Sequence, residues 1–380
     1  MVTRRSFIQT VSNGIAYTSM AGSGLLIACQ SKSDQSKEAK KQSAQNEEKK
    51  KGKLGIALVG LGKYSEEQLA PALEETNQCY LAGIVTGTPE KAEKWKKKYD
   101  IPEKNIYNYE TFDTIKDNPD IDIVYVVLPN SMHAEYTVRA AKAGKHVICE
   151  KPMALTVAEC DQMIAACKEA GKMLSIGYRL HFEPYNLEMV RLAETKTFGN
   201  LKKIKAENGM NGTEGWRVDK ELSGGGPLPD VGIYCIQAVR YTTGQEPLAV
   251  RAKEGPKKDK EFFKEVEASL SWEMEMPGGV IAECKSSYEE DMNLLRAEAD
   301  KGFFELKPAY GYSGQKGETS QGKMDLPKVN QQALQMDDFA EAITKKRPTP
   351  VPGEMGRQDV KIINAIYEAM KTGRRVEIPA

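Results

Sequence analysis

A short apolar run, Leu54-Gly55-Ile56-Ala57-Leu58-Val59, feeds directly into Gly60-Leu61-Gly62-Lys63-Tyr64-Ser65, with helix-forming residues from Glu66 to Leu73 behind it. A buried strand that turns on glycines into a helix leaves unpaired N–H groups at the helix start, where a pyrophosphate can be held. The glycines, Gly60 and Gly62, permit the tight turn and the close approach of backbone to ligand, and Lys63 and Tyr64 come next at the crevice. Ser65 stands at the third small position of the pattern, a departure that a close helix-strand contact tolerates. A glycine turn without any ligand produces the same residues, so the motif gains its weight from the segments downstream of it.

Those segments alternate. Strands are expected over 80–85, 123–128, 146–149 and 173–176, with helices over 89–99, 134–143 and 157–170 between them. Apolar strands alternating with helices predict a parallel sheet covered on both faces. In the helix over 157–170, Val157, Cys160, Ile164 and Cys167 share one face, so both cysteines are read as core. The seven cysteines show no paired CxxC spacing, and no metal site is expected. His146, at a strand entrance, is likewise read as structural.

The end of the second strand bears on the cofactor. An NAD-preferring site places Asp or Glu there to hold the ribose 2′-hydroxyl, whereas Thr86-Gly87-Thr88 offers hydroxyls and no charge, with Lys91 close behind. NADP is therefore expected, its 2′-phosphate accepted by Thr86, Thr88 and Lys91. An ordinary strand-to-helix turn with Lys91 in solvent is the plain alternative.

Further on, Val266, Ala268, Leu270, Trp272, Met274 and Met276 alternate with polar residues, Pro277-Gly278-Gly279 turns, and Val280, Ala282 and Cys284 resume the pattern. This is a β-hairpin with one covered face. A closing scaffold helix is expected over 356–372.

The opening of the chain reads as an address. Thr3-Arg4-Arg5-Ser6-Phe7-Ile8 precedes a weakly apolar stretch to Ala28, the pattern of a twin-arginine export signal. Leu26-Ile27-Ala28-Cys29 resembles a lipoprotein processing box, which would leave Cys29 lipidated and the mature chain in the periplasm or on the outer membrane surface. A chance cysteine beside an ordinary cleavage site is the plain reading. Residues 30–52 are almost wholly polar and are read as a solvated tether. With 54 basic and 54 acidic side chains, the overall field favours neither nucleic acid nor an anionic membrane surface, and suits a small neutral ligand.

The chemistry-bearing segments are Glu150-Lys151-Pro152, Gly177-Tyr178-Arg179-Leu180-His181 and Asp230-Val231-Gly232-Ile233-Tyr234. Together with Ile84-Val85-Thr86-Gly87, Leu128-Pro129-Asn130-Ser131-Met132-His133, Trp216-Arg217 and the stretch from Asp359 to Ala369, they resemble the glucose-fructose oxidoreductase and inositol dehydrogenase family. The form of the motifs is most like its glucose-fructose branch, where Asp and Tyr replace the Asp and His pair of many relatives.

The resemblance implies an N-terminal Rossmann domain, 53–177, followed by an α+β domain, 178–380, built on a large, open, mainly antiparallel sheet that often forms homo-oligomer contacts. It implies that Lys151 reaches the reacting hydroxyl across a cis peptide before Pro152, that Tyr234 is the acid/base beside Asp230, and that Tyr178, Arg179 and His181 line the substrate pocket. Pro129, Asn130, His133, Glu150, Lys151, Trp216 and Arg217 would border the cofactor. Removing a hydride from a sugar carbon also requires removing the hydroxyl proton, so a base must lie within hydrogen-bond reach. A phenol acting as that base needs adjacent positive charge, which Lys151 would supply. The implied activity is oxidation of a pyranose at its anomeric carbon, or of a polyol CH–OH, with reduction of a second sugar by the same bound NADP. An NAD-dependent glycosidase of the same fold and a cofactor-binding protein without turnover are the alternatives. A Lys-Tyr pair argues against the last, since a passive pocket has no need of it.

Overall fold

Two sheets carry the fold in the computed structural model, which describes residues 51–379. The export signal, Cys29 and nearly all of the polar tether lie outside the described residues. The first sheet comprises β1 (Leu54–Val59), β2 (Cys79–Val85), β3 (Ile106–Tyr107), β4 (Ile123–Val126), β5 (His146–Cys149) and β6 (Leu174–Ile176) in the order β3-β2-β1-β4-β5-β6. Every neighbouring pair is parallel. This is the dinucleotide-binding order, and it reverses between β1 and β4, so a crevice opens beyond the carboxyl ends of those strands. Helices Pro89–Tyr99, His133–Lys142 and Val157–Glu169 stand where the periodicity predicts them. The last starts on a capping box in which Thr156 and Glu159 satisfy each other's backbone N–H. Cys160 and Cys167 are buried, as their shared face requires. Strand β3, two residues long, left no periodic signal to read.

The second sheet joins β7 (Leu201–Asn211), β8 (Ala249–Glu254), β9 (Ser269–Glu275), β10 (Ile281–Ser287), β11 (Glu289–Ala299), β12 (Gly302–Leu306), β13 (Gly317–Thr319), β14 (Gly322–Lys323) and β15 (Val376–Glu377). Its order is β14-β13-β12-β11-β7-β10-β9-β8-β15, antiparallel except where β10 runs parallel to β7. The expected hairpin is β9 and β10, with Leu270, Trp272, Met274, Ala282 and Cys284 buried on one face. The other face carries charges of both signs that pair across strands, as in Lys203–Glu283 at 2.6 Å and Arg296–Glu305 at 3.1 Å.

After the second sheet the chain returns to the first. Helix Gln331–Lys345, which the sequence pattern does not announce, lays Met336, Phe339 and Ala340 into the core that holds Leu58, Leu69 and Trp95. Its Asp337 accepts the backbone N–H groups of Asn77 and Gln78, at 2.9 and 2.7 Å, fixing the loop into β2. Truncating a fully buried ring leaves a cavity as well as a lost transfer term, so Phe339→Ala should cost about 3–5 kcal/mol of stability, read by denaturant unfolding. Helix Gly353–Thr372 packs against Val157–Glu169 and β8, joining both sheets.

Candidate active site

Gly60 has φ +95, and a Cβ there would lie 2.3 Å from the Val127 carbonyl oxygen, so only glycine makes this turn. A Cβ on Gly62 would meet nothing within 4 Å, which leaves its backbone open to a ligand at the start of the following helix. The Ser65 hydroxyl donates to the Gly60 carbonyl at 2.6 Å, so the third small position is filled by a side chain that ties the turn together. At the end of β2, Thr86 and Thr88 are buried side by side, the Thr88 N–H donating to the Thr86 hydroxyl at 3.2 Å. The Lys91 ammonium donates to the Leu61 carbonyl at 3.1 Å, placing its charge between the glycine turn and the threonines. Two hydroxyls, an ammonium and no carboxylate at the strand end suit a 2′-phosphate.

Across the crevice a segment of the second domain is strapped down at three points. Lys63 pairs with Glu214 at 2.8 Å, Asn130 Nδ2 donates to the Ser223 carbonyl at 2.8 Å, and Arg217 donates to Asp230 at 2.9 Å. The Arg217 guanidinium also stacks on Trp216, 4.9 Å from its ring centre. The strap thus links residues expected at the cofactor to the residues expected to do chemistry.

The peptide between Lys151 and Pro152 is cis, as expected. Lys151 Nζ donates to the Asp230 carbonyl at 2.6 Å, lies 3.4 Å from its Oδ1, and stands 4.8 Å from the centre of the Tyr234 ring. Asp230 sits in a wide π-helical turn, Leu228–Gly232, opening directly into helix Ile233–Thr243, which presents Tyr234. Turns of this kind recur at functional sites. Asp230 also accepts from the Tyr288 hydroxyl at 2.9 Å. Burial alone would raise the Asp230 carboxyl, but Lys151 and Arg217 outweigh it and hold it below the usual range. Burial alone would lower the Lys151 ammonium, yet Tyr234, Asp230 and Glu150 keep it above the usual lysine value. The lysine is therefore charged where the phenol needs a cation.

Glu150 and His133, both expected to border the cofactor, are each tied to protein groups. Glu150 turns inward beneath Lys151, accepting from the Tyr125 hydroxyl at 2.7 Å, and burial raises its carboxyl above the ordinary value. It fits because Gly177 has no Cβ, which would lie 2.5 Å from the Glu150 carboxylate. His133 is buried, with its ring nitrogens 2.8 Å from the Pro152 and Leu128 carbonyl oxygens. It clamps the loop after β4 to the cis-proline turn and offers no free nitrogen to a ligand.

Lys151 and Tyr234 border a small cavity, with room for about one water, that Tyr178, Leu180, His181, Ile233, Gln237 and Tyr241 also line. Behind it, Asp359 accepts hydrogen bonds from Tyr178, Gln237 and Arg240, the last at 2.6 Å. The Asp359 carboxylate is an acceptor, so the Gln237 amide NH2 faces it and the amide oxygen faces His181 Nε2, 2.7 Å away. Nε2 must then carry the proton. Burial, with Arg240 nearby, lowers the His181 pKa and keeps the ring neutral, leaving Nδ1 as an acceptor. Gln237, Asp359 and Tyr288 were not given roles by sequence. The available signal was Asp359 itself, an acid on the helix face that carries Ile362, Ile363 and Ile366. Tyr178 contributes its ring to the pocket, its hydroxyl being used by Asp359. His146 accepts the Met173 N–H at 3.0 Å, a structural role. Among the described residues, six cysteines are free and buried, and no group of three or more His, Cys, Asp or Glu is placed to hold a metal ion.

Residues 54–178 match the family model described as an oxidoreductase family with an NAD-binding Rossmann fold, and residues 187–300 match the GFO/IDH/MocA C-terminal domain. The chain belongs to this Gfo/Idh/MocA family. A crystal structure of an aldose-aldose oxidoreductase from Caulobacter crescentus, complexed with glycerol, is 43% identical, with a TM-score of 0.84 over 86% of this chain and 99% of that one. A D-xylose 1-dehydrogenase [NADP(+)] of Haloarcula marismortui is 27% identical, covering 85% of this chain and 92% of that protein. A D-glucoside 3-dehydrogenase of Escherichia coli is 28% identical, covering 86% and 97%. The Gfo/Idh/MocA assignment agrees with the parallel sheet followed by the mixed, mostly antiparallel one.

Proposed function

We propose that this Gfo/Idh/MocA protein oxidises an aldopyranose at its anomeric carbon with bound NADP and passes the hydride on to a second sugar. The observation that carries the reading is the charged Lys151, just past the carboxyl end of β5, set against Tyr234. The aldose-aldose oxidoreductase and the NADP(+)-dependent xylose dehydrogenase, both spanning most of this chain, support the substrate class and the nucleotide. Bound NADP supplies the hydride acceptor. The Tyr234 phenolate oxygen takes the hydroxyl proton as the carbon gives up its hydride, so the C–OH becomes a carbonyl and the sugar a lactone. Lys151 stabilises the negative charge shared between phenol and substrate oxygen. Asp230, with Arg217 and Tyr288, holds the lysine in place, and the His181 Nδ1 lone pair accepts a sugar hydroxyl.

Nucleotide released on denaturing the purified protein should be NADP(H), and recovery of mainly NAD(H) would sink this part. Thr86→Asp sets a carboxylate against the 2′-phosphate and should weaken NADP binding at least tenfold relative to NAD, measured by fluorescence titration. A methyl glycoside, its anomeric oxygen blocked, should not be oxidised; turnover of it would move the reaction to another carbon. We also propose export by the twin-arginine route with lipidation at Cys29, supported by Thr3-Arg4-Arg5-Ser6-Phe7-Ile8 and Leu26-Ile27-Ala28-Cys29. Mass spectrometry of the membrane fraction tests it, and an unmodified start downstream of Cys29 would remove the anchor.

A further inference from the structure

Arg179 is expected to line the substrate pocket, and both of its terminal nitrogens are engaged by protein acceptors. One terminal nitrogen donates to the Gly311 carbonyl at 2.8 Å and to the Gln331 side-chain oxygen, and the other donates to the Tyr310 carbonyl at 2.7 Å. Nε is sealed from solvent without a hydrogen-bond partner, and the residue as a whole is 2% exposed. The guanidinium is also stacked, with Cζ 5.1 Å from the centre of the Tyr234 ring and 4.5 Å from that of Tyr312.

The acceptors that hold it are two carbonyls and an amide, all neutral. Among the described residues no carboxylate forms an ion pair with Arg179, whereas Lys151 is paired with Asp230, which Arg217 also holds. Buried charges are ordinarily paired. Other groups that feel or face this centre are Glu150 from below, Glu183 at the start of helix Pro184–Glu194, Tyr64 from the glycine-turn side, and Tyr310 and Tyr312 from the loop after β12. None of them supplies a carboxylate in direct contact. The group close enough to become the missing countercharge is Tyr234.

We infer that Arg179 is a second cation acting on Tyr234, a positioning residue whose latent ion-pair partner is the phenolate formed when Tyr234 acts as base. Lys151 and Arg179 then both stand over one aromatic ring, 4.8 and 5.1 Å from its centre, and both set positive charge beside the group that becomes negative in the proposed reaction. Lys151 has part of its field cancelled by Asp230; Arg179 does not. The backbone carbonyls of Tyr310 and Gly311 fix the guanidinium, so its charge is in place before substrate arrives and costs no reorganisation during the reaction. Burial opposes the Arg179 charge, and Tyr234, Tyr64 and Tyr312 more than offset it.

The inference rests on Tyr234 being the proton acceptor, and the test separates the two. Full-length protein carrying its nucleotide is assayed for turnover over a range of sugar concentrations, and its bound nucleotide is measured. In Arg179→Met turnover at saturating sugar should fall at least tenfold, while KM for the sugar changes less than threefold and the nucleotide stays bound. Arg179→Lys, which keeps the charge but not the fork, should keep turnover within about threefold of the parent. A loss in Arg179→Met carried by KM, or by lost nucleotide, overturns the inference. So does a loss in Arg179→Lys equal to that in Arg179→Met, and if the methionine variant does not fold, a tenfold loss of turnover in Arg179→Lys overturns it alone. Should Tyr234→Phe turn over normally, the functional reading itself has failed, whatever Arg179 does.

Discussion

Tyr234→Phe should lower turnover by roughly 100- to 10,000-fold, the range a positioned acid/base is worth, while the protein keeps its fold and its nucleotide. The substitution removes one oxygen and leaves the ring that packs beside Tyr310 and near Lys151 and Arg179. Stability should therefore be close to that of the parent, and the loss should appear in turnover rather than in sugar binding. Lys151→Ala should match it in size for a different reason: it removes the ammonium, the stack on Tyr234 and the hydrogen bond to the Asp230 carbonyl together. The two losses should not add in a double variant, because both act on one proton transfer. Near-normal turnover in Tyr234→Phe, measured with saturating sugar, would remove this residue from the mechanism.

The legible and the hidden parts of the fold divide along physical lines. Strands β1, β2, β4 and β5 were legible in the sequence because a parallel sheet covered on both faces writes itself as unbroken apolar runs. The β9–β10 hairpin was legible because a sheet with one covered face alternates strictly. Helix Gln331–Lys345 escaped since Gln331, Gln332 and Gln335 are buried among its apolar residues and blur the stripe that would have shown it. Lys151, Asp230 and Tyr234 were singled out through the family resemblance, with no local pattern to announce them, and the structure brings the three together. Gln237 and Asp359 were not assigned, because their meaning lies in a contact between residues 122 positions apart. His133 and Arg179 were singled out for the cofactor and the substrate pocket, but a sequence cannot show that such nitrogens are spent on backbone carbonyls, as they are here.

The same spending of polar groups bears on how long the nucleotide stays. The strap across the crevice is tied to the glycine turn by Lys63–Glu214, to the loop after β4 by Asn130 and Ser223, and to the catalytic turn by Arg217 and Asp230. The Lys63–Glu214 pair is exposed and by itself worth little. The other two are partly or wholly buried, and they must open with it if the strap is to lift. If the strap closes over a bound nucleotide, the protein can work without exchanging it, provided the hydride leaves by the route it came.

Purified protein given one aldose should accordingly show a single burst of reduced-nicotinamide absorbance, equal in amount to the enzyme, and then stop. In the proposed reaction a second sugar carbonyl at the same site would find Tyr234 protonated and able to return the proton as the hydride is delivered, which would restore the phenolate. Adding that second aldose or ketose should restore continuous lactone formation, with parallel lines in double-reciprocal plots as the signature of two substrates taking turns at one site. Glu214→Gln, which breaks only the exposed tie, should leave the burst in place and speed loss of nucleotide during gel filtration only slightly, and Asn130→Ala should speed it much further. Continuous turnover that needs added soluble NADP and ignores any second sugar would identify an ordinary dehydrogenase. The strap would then be a gate that opens every cycle, and turnover should rise, not fall, in Glu214→Gln.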